Sequence, residues 1–196
     1  MTKEQAIIKA ASALFLKQGF EATSMDNVAC KAKVAKQTVY NYFSSKEELF
    51  CAIVMKRCAS LFDHLPDNAG THNNMGAYLE ILAVRIMYAL FTTETLELYR
   101  LVVAETPRFP ELGRKYYESG PKVAVDMLAK FLEKHGIKKS VSTAHAKQFF
   151  GMLTGDLLSH ALLDLKYKPS AKDREKMAKN TVAFFLAALH QELSGS

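Results

Sequence analysis

The residues of this chain that could do chemistry as a group lie in one segment, residues 34–50, which reads VAKQTVYNYFSSKEELF. Lys36 and Gln37 stand near its start. A glutamine amide can make two hydrogen bonds to adenine, and a lysine can donate to guanine, both from within the major groove of DNA. This order of residues favours contact with base edges at the start of the segment.

Hydroxyl groups and a further positive charge follow in the same segment. Thr38, Tyr40 and Tyr42 carry hydroxyls at the ends of short or stiff side chains, which can hydrogen-bond phosphate oxygens with little loss of entropy. Lys46 lies where the next helix is predicted to begin, and a helix N-terminus favours an anion. We therefore expect the segment to contact the DNA backbone as well as the bases.

A helical wheel gives this segment a thin apolar back. Ala35, Val39 and Phe43 fall on one side of a short helix. The other side, which we call the polar front, carries Lys36, Gln37, Tyr40 and Asn41. Val39 and Phe43 are therefore expected in a core. The alternative for Tyr40 and Tyr42 is that they are half-buried packing residues of a small helical domain.

Further helices must position this segment. An apolar stripe that includes Ile7, Ala11 and Phe15 predicts a first helix, with capping-box spacing at Thr2 and Gln5 and a glycine at its end. A second, short helix is predicted at about residues 24–32, with Thr23 or Ser24 as its cap.

A fourth helix should open at Ser45, which has capping-box spacing to Glu48. Two short helices joined by a tight turn and flanked by longer ones predict a helix-turn-helix at about residues 24–43. The module would lie within a DNA-binding domain at residues 1–60.

These residues resemble a known family. The stretch IIKAASALFLKQGFEATSMDNVA, followed by VAKQTVYNYFSSKEELF, is similar to the N-terminal DNA-binding domain of TetR/AcrR bacterial transcriptional regulators, across roughly residues 5–55. Downstream, RLVVAETPRFPELGRKYYESGP and KQFFGMLTGDLL resemble the C-terminal domain of an AefR-like branch. The resemblance implies the same DNA-facing roles for the segment at 34–50, with Ser24 or Thr23 as a further phosphate contact.

Two positions depart from the family pattern. Lys33 stands where a glycine is common, so it is expected near positive φ, and it could add a phosphate contact that glycine lacks. Ala35 stands where serine is common and cannot cap the helix through a side-chain oxygen. We therefore expect the recognition helix, the second helix of the helix-turn-helix, to be positioned differently in this chain than in other members of the family.

Residues 61–196 are predicted to form a larger helical domain for ligand binding and dimerisation. The polar stretch DHLPDNAGTHNN leads into it, and helices are expected at about 75–91, 94–105, 111–134, 142–164 and 171–193. The chain as a whole is therefore predicted to be all-α, with about nine helices. The helix that begins at Ser45 would belong to both domains and transmit ligand binding to the DNA-binding domain.

The last two helices, at about 142–164 and 171–193, are apolar on more than one side. One side would pack within the domain and the other against the same helices of a second subunit, giving a homodimer. The alternative is that both sides are buried within one subunit.

Candidate ligand contacts in the second domain are polar or amphipathic groups near apolar stripes, together with side chains that could line an adaptable cavity. The polar and amphipathic ones are Arg85, Tyr88, Tyr99, Asp156 and His160, and the cavity ones are Phe91, Phe109, Met127 and Met152. Asp156 and His160 are four residues apart and could pair on one helix face. The alternative for each residue is an ordinary core, interface or surface position.

Composition and motifs exclude several classes of protein. The chain has 196 residues, a net charge of +6 and three cysteines without CxxC spacing, which argues against a disulfide framework and for a reducing cytosol. The basic excess is strongest in residues 1–60, with nine Lys/Arg against five Asp/Glu. No catalytic, metal-binding or phosphate-loop motif is present, no cofactor or metal is expected, and no apolar run reaches the roughly 18 residues of a membrane span.

The sequence therefore favours a cytoplasmic, homodimeric DNA-binding transcriptional regulator, a repressor that a small apolar or amphipathic effector releases from a pseudo-palindromic operator. Two alternatives come from other classes. One is an all-helical small-molecule-binding protein or enzyme, and the other is a ligand-independent DNA-binding protein, which would leave the apolar second domain without a role.

Overall fold

The computed structural model describes residues 1–62 and 74–194, with side chains over 1–56 and 74–190; the predicted connection at 63–74 lies almost wholly outside them. In the described residues the chain forms ten α-helices and no strand, which confirms the predicted all-α class. The helices are α1 (Lys3–Gln18), α2 (Met25–Ala32), α3 (Lys36–Tyr42), α4 (Lys46–Phe62), α5 (Met75–Leu90), α6 (Thr93–Glu105), α7 (Pro110–Ser119), α8 (Pro121–Lys134), α9 (Lys139–Leu163) and α10 (Ala171–Ser194).

The chain divides into two compact units. The first consists of Met1–Ser60 and Glu97–Pro121, and the second of Leu61–Leu96 and Lys122–Ser196. The predicted division also falls at residue 60, but it assigned all later residues to the second domain. The segment Glu97–Pro121 instead packs with the N-terminal residues, so the functional division into 1–60 and 61–196 stays a prediction.

Aromatic rings form the centre of the first unit. Phe15, Phe20 and Phe50 lie with their ring centroids 5.4 Å apart in each pair, and each is at most 1% exposed. Phe109 adds a fourth ring 5.1 Å from Phe20, and Leu98 of α6 is buried in the same cluster. Burying one such side chain contributes roughly 1.5–3 kcal/mol, which explains why α7 and most of α6 belong to this unit.

The helix ends follow local sequence signals. The Thr2 hydroxyl accepts a hydrogen bond from the Gln5 N–H at 3.2 Å, and Gln5 Oε1 accepts one from the Thr2 N–H at 3.0 Å, which confirms the predicted capping box of α1. Gly19 ends α1 with a φ of 84°, a conformation that costs glycine little. A reciprocal cap between Ser170 and Asp173 starts α10, also as predicted.

One predicted helix is two helices in the structure. The periodicity predicted a single helix at 111–134, but α7 ends at Ser119 and α8 begins at Pro121. Proline has no N–H to continue the helical hydrogen bonds, and its ring clashes with the carbonyl four residues earlier, so a helix tends to end before it. The described residues therefore contain ten helices rather than about nine.

In the second unit, α5 packs mainly against α10 and also contacts α9. The Tyr78 ring of α5 stacks on Phe131 of α8, with 3.9 Å between the ring centroids. Several large side chains of this core are almost completely buried: Leu79, Met87, Leu128, Leu132, Phe149 and Leu153. The helices α9 and α10 thus each bury one side within the unit.

Within the described part of the chain, no single helix is long and apolar enough to cross a membrane. The helices α5 and α6 reach that length and hydropathy only when they are taken together, and they are bent by 73° at their junction.

Candidate nucleic-acid interface

The helices α2 and α3 form the predicted helix-turn-helix. Ser24 caps α2, because its hydroxyl accepts a hydrogen bond from the Asn27 N–H at 3.1 Å. Lys33 then turns the chain with a φ of 55° and a ψ of 45°, and its N–H donates to the carbonyls of Ala29 and Cys30. The positive φ expected at this lysine is confirmed.

The recognition helix α3 has the predicted apolar back and exposed front. It begins without a side-chain cap at Ala35, as expected. Val39 and Phe43 are 0% and 5% exposed and belong to the core of the first unit. Tyr40 and Tyr42 are 41% and 45% exposed, which favours a surface role for them over core packing.

The two residues proposed to read bases are exposed and have polar neighbours. Lys36 Nζ lies 2.9 Å from Asp26 Oδ1 of α2, and this hydrogen bond raises the pKa of the lysine. Gln37 Nε2 donates to Asn41 Oδ1 at 3.1 Å. The spacing of four residues could have pointed to the second pair. Sequence reasoning missed Asp26, which lies on the other side of the turn.

The candidates for phosphate contacts differ in their exposure and in the contacts that they already make. Ser24 and Lys33 are exposed, and Thr38 is half-buried. The ammonium of Lys46 donates to the carbonyl oxygen of Glu21 at 3.0 Å and lies 4.5 Å from the centroid of the Phe20 ring. Lys46 is thus held against the loop between α1 and α2.

Thr23 does not lie with these exposed candidates. It is 1% exposed, its hydroxyl donates to the Gly19 carbonyl at 2.8 Å, and it accepts from Gln18 Nε2 at 3.2 Å. The turn after α1 therefore uses both functions of the hydroxyl. Ser24 fills the cap position, so the predicted alternative of Thr23 as the cap is wrong, while a phosphate contact from Thr23 stays a prediction.

The start of α4 differs from the predicted capping box in one bond. Ser45 Oγ accepts from the Glu48 N–H at 3.1 Å, as expected. The Glu48 carboxylate, however, accepts from the hydroxyl and the N–H of Ser44, at 2.6 and 2.7 Å, rather than from the Ser45 N–H. These two hydrogen bonds lower the pKa of Glu48.

Two of the predicted ligand contacts lie in the first compact unit. Phe109 belongs to the aromatic cluster around Phe20, and the Tyr99 ring lies edge-on to Tyr116, 5.6 Å between centroids. The sequence analysis had placed both residues in the second domain, Tyr99 among the polar and amphipathic candidates and Phe109 among the cavity-lining ones. Their packing follows from the assignment of Glu97–Pro121 to the first unit.

The predicted pair between Asp156 and His160 is also wrong. The His160 ring stacks on Tyr167 with 3.6 Å between centroids, and its Nε2 lies 3.8 Å from Asp164 Oδ2. Tyr167 follows the end of α9, so stacking turns the imidazole toward the C-terminal end of that helix and away from Asp156.

The other ligand candidates of the second unit have varied surroundings. The Tyr88 hydroxyl donates to Glu175 Oε1 at 3.1 Å, and the Arg174 guanidinium lies 4.4 Å from its ring centroid. Phe91 is buried in the core, whereas Met152 is 44% exposed. Arg85 and Met127 are half-buried. A ligand role for these residues stays a prediction.

Exposed apolar residues remain on α9 and α10. We call Gly151, Met152, Gly155 and Leu163 of α9, with Phe184 of α10, the apolar surface set. Leu163 and Phe184 are 88% and 74% exposed. Both glycines are open, because no atom lies within 4 Å of the place where a side chain would begin. Exposed large apolar residues next to small ones are typical of a protein–protein contact.

A capped α2, a turn through Lys33 and an α3 with a buried back and an exposed polar front define a helix-turn-helix DNA-binding protein. Residues 7–53 match the model of the bacterial regulatory proteins of the tetR family, and residues 77–190 match that of the AefR-like transcriptional repressor, C-terminal domain. The second match covers more than half of the chain. The chain belongs to the TetR family, whose members are transcriptional regulators rather than enzymes.

Solved structures and curated relatives agree with this assignment. A TetR-family transcriptional regulator from Mesorhizobium loti superimposes with a TM-score of 0.80 at 32% identity, covering 95% of this chain and 96% of that chain. The flavonoid-responsive regulator FrrA gives a TM-score of 0.78 at 33% identity, with the same coverage. The helix-turn-helix regulator YhgD of Bacillus subtilis is 32% identical over 53% of this chain, a stretch that spans 58% of YhgD.

Proposed function

We propose that this TetR-family regulator binds a pseudo-palindromic operator as a homodimer, represses transcription there, and is released when a small amphipathic effector binds its second domain. The observation that carries the DNA-binding part is the geometry of α3. Its apolar back is buried in the first unit, while Lys36, Gln37, Tyr40 and Tyr42 remain exposed on its surface.

In this proposal some residues contact the bases of the DNA and others contact its phosphate backbone. Lys36 and Gln37 read base edges, while the phosphate contacts are Ser24, Lys33, Thr38, Tyr40, Tyr42 and Lys46. Two copies of α3 would enter successive major grooves about 34 Å apart. That spacing is why the operator should be a pseudo-palindrome.

Two substitutions test this division. Tyr42→Ala should weaken binding to operator and random DNA by a similar factor, because a phosphate contact carries no sequence information. Gln37→Ala should lose roughly 1–3 kcal/mol on the operator and little on random DNA, because a bidentate base contact is lost. Fluorescence anisotropy with operator fragments selected from genomic DNA gives both affinities.

Tyr117→Ala is the matched control, since Tyr117 is similarly exposed on α7 of the same unit, 49% against 45% for Tyr42. It should bind both DNAs like the wild type. Unchanged binding in Tyr42→Ala and Gln37→Ala would reject the assignment of the α3 front to DNA.

The proposed dimer rests on the apolar surface set. Leu163 and Phe184 are 88% and 74% exposed, and the open glycines of α9 would allow a second helix to approach closely. Pairing of α9 and α10 with the same helices of a second copy would bury these residues around a two-fold axis. Light scattering at micromolar concentration should therefore give the mass of a dimer, and a monodisperse monomer would reject this part of the proposal.

An amphipathic effector is supported by one relative, and repression by the family match. FrrA, at 33% identity over nearly the full chain, is described as responsive to flavonoids. Repression is supported by the match of residues 77–190 to an AefR-like repressor domain. Amphipathic aromatic compounds, flavonoids among them, should be screened for release of the protein from its selected DNA fragment and for derepression of a reporter. Activation of the reporter by the protein alone would reject repression.

A further inference from the structure

The segment just before α7 is attached to the loop between α1 and α2 of the same compact unit. Both terminal nitrogens of the Arg108 guanidinium donate to the two carboxylate oxygens of Glu21, which lies 87 residues away in sequence. The neighbouring ring of Phe109 lies 5.1 Å from that of Phe20. A planar, bidentate pair fixes the direction as well as the distance of its partners. Two successive residues thus hold two successive residues of the loop.

Glu21 is at the same time bonded through its backbone. Its carbonyl oxygen accepts a hydrogen bond from Lys46 Nζ at 3.0 Å, while the same ammonium lies 4.5 Å from the Phe20 ring centroid. The α2 cap, Ser24, follows three residues after Glu21. The loop held by Arg108 is therefore the one that receives Lys46 and leads into Ser24, two of the proposed phosphate contacts.

We propose that Arg108 is a positioning residue for DNA binding, which acts through Glu21 and does not itself contact DNA. By fixing the Glu21 side chain, it fixes the carbonyl that holds Lys46 and the loop from which α2 begins. The proposal rests on the proposed DNA interface and adds a residue that the family resemblance did not assign.

The sign of one charge substitution separates positioning from direct contact. Glu21→Gln removes a negative charge, and by electrostatic attraction alone this change should tighten binding to DNA. If Arg108 acts through Glu21, the same change should weaken binding, because the loop loses its bidentate partner. Arg108→Gln should weaken binding under either mechanism, so it does not decide between them.

The experiment measures the affinity of the full-length protein for a mixed-sequence DNA duplex at several salt concentrations. We expect Glu21→Gln to bind about two- to fivefold more weakly than the wild type, the size that an exposed but bidentate ion pair can contribute. Glu4→Gln, an exposed carboxylate in the first turn of α1, makes the same change in net charge and should bind as the wild type does or more tightly.

A charge-swapped pair keeps the test independent of folding defects. Glu21→Arg combined with Arg108→Glu restores an ion pair in reversed order, leaves the net charge unchanged and should bind DNA as tightly as the wild type. Melting curves identify a single variant that folds poorly. If a single variant folds poorly, the double variant tests the proposal in its place. A double variant that melts like the wild type but still binds DNA weakly would overturn the proposal.

Failure of this inference is distinguishable from failure of the proposed function. If the wild type binds DNA and Tyr42→Ala weakens binding, but Glu21→Gln binds equally well or better, the positioning role alone is overturned. If the wild type does not bind DNA at any salt concentration, both proposals are overturned.

Discussion

The polar front of α3 and the apolar surface set of α9 and α10 are both exposed. They differ in the contacts that they already make within the protein. On the first surface, Lys36 is paired with Asp26 at 2.9 Å, and Lys46, at the start of α4, donates to the Glu21 carbonyl. On the second, Leu163 and Phe184 are 88% and 74% exposed. A charged partner at α3 exchanges one polar contact for another, whereas a partner at α9 and α10 removes apolar surface from water. Exchange of polar contacts contributes a small net binding free energy, whereas burial of apolar surface contributes a larger one.

The strongest way to break this comparison is to place a charge in the apolar surface set. Phe184→Asp should convert a dimer into a monomer at micromolar concentration, because burying an unpaired carboxylate costs about 3–5 kcal/mol. Light scattering measures the mass. Val103→Asp is the matched control, since Val103 is 57% exposed on α6 and is not part of the set. Equal masses for the two variants would show that the set has no special role.

A second prediction concerns the paired charges of the first surface. Asp26→Asn leaves Lys36 without its carboxylate, so the ammonium becomes available to DNA. Binding to random DNA should tighten severalfold at low salt, and the slope of log affinity against log salt should steepen by about one.

Asp126→Asn is its control, because Asp126 forms an ion pair with Lys122 at 2.6 Å in the second unit, and about half of each side chain is exposed, against about three fifths in the pair of Lys36 with Asp26. Its effect on DNA binding should be small. If Asp26→Asn binds random DNA no better than this control, the pair with Lys36 does not restrain binding.

The turn between α2 and α3 gives a smaller effect. Lys33 holds a left-handed conformation that costs a residue with a Cβ about 1 kcal/mol or more. Lys33→Gly should relieve this cost but adds chain entropy to the unfolded state, so the net gain in unfolding free energy should be at most about 1 kcal/mol. Lys33→Ala removes the same charge and keeps the strained backbone.

Thermal unfolding of the two variants isolates the backbone effect, and DNA affinity reports the lost charge. Both variants should bind DNA more weakly than the wild type and to a similar degree. A glycine variant that melts below the alanine variant would contradict the strain argument.

The smallest effect is a dependence on pH at the start of α4. The Ser44 hydrogen bonds lower the pKa of Glu48 in the folded protein, so the stability they contribute is present above the carboxyl's unfolded pKa and is lost as pH falls through the folded value. Ser44→Ala should lower the melting temperature slightly at neutral pH. This difference in melting temperature from the wild type should vanish under acidic conditions. Ser44→Thr keeps the hydroxyl and should therefore melt like the wild type at both pH values.

Sequence patterns predicted most of the fold, because most of it is local. The caps at Thr2 and Ser170, the positive φ at Lys33, and the buried back of α3 at Val39 and Phe43 all depend on residues only a few positions apart. The prediction from periodicity did not take into account that Pro121 would interrupt a helix, although the residue is present in the sequence. The predicted helix at 111–134 ran through it for that reason.

The candidate site was predicted less completely, because several of its contacts join distant residues. The pairs of Lys36 with Asp26 and of Arg108 with Glu21 connect separate helices or loops, and no spacing rule identifies them. Thr23 and Ser24 are equally plausible caps in sequence, and burial of Thr23 among its neighbours decides between them.

The sequence by itself determined that this chain is helical, how α1 and α10 are capped, and which side of the recognition helix is polar. These properties follow from propensity and periodicity within a few residues. Only the tertiary structure decided that α7 and most of α6 pack with the helix-turn-helix, that His160 meets Tyr167 and Asp164 rather than Asp156, and that Arg108 holds Glu21. Such choices depend on which apolar surfaces the whole chain buries together, and that is a sum over contacts far apart in sequence.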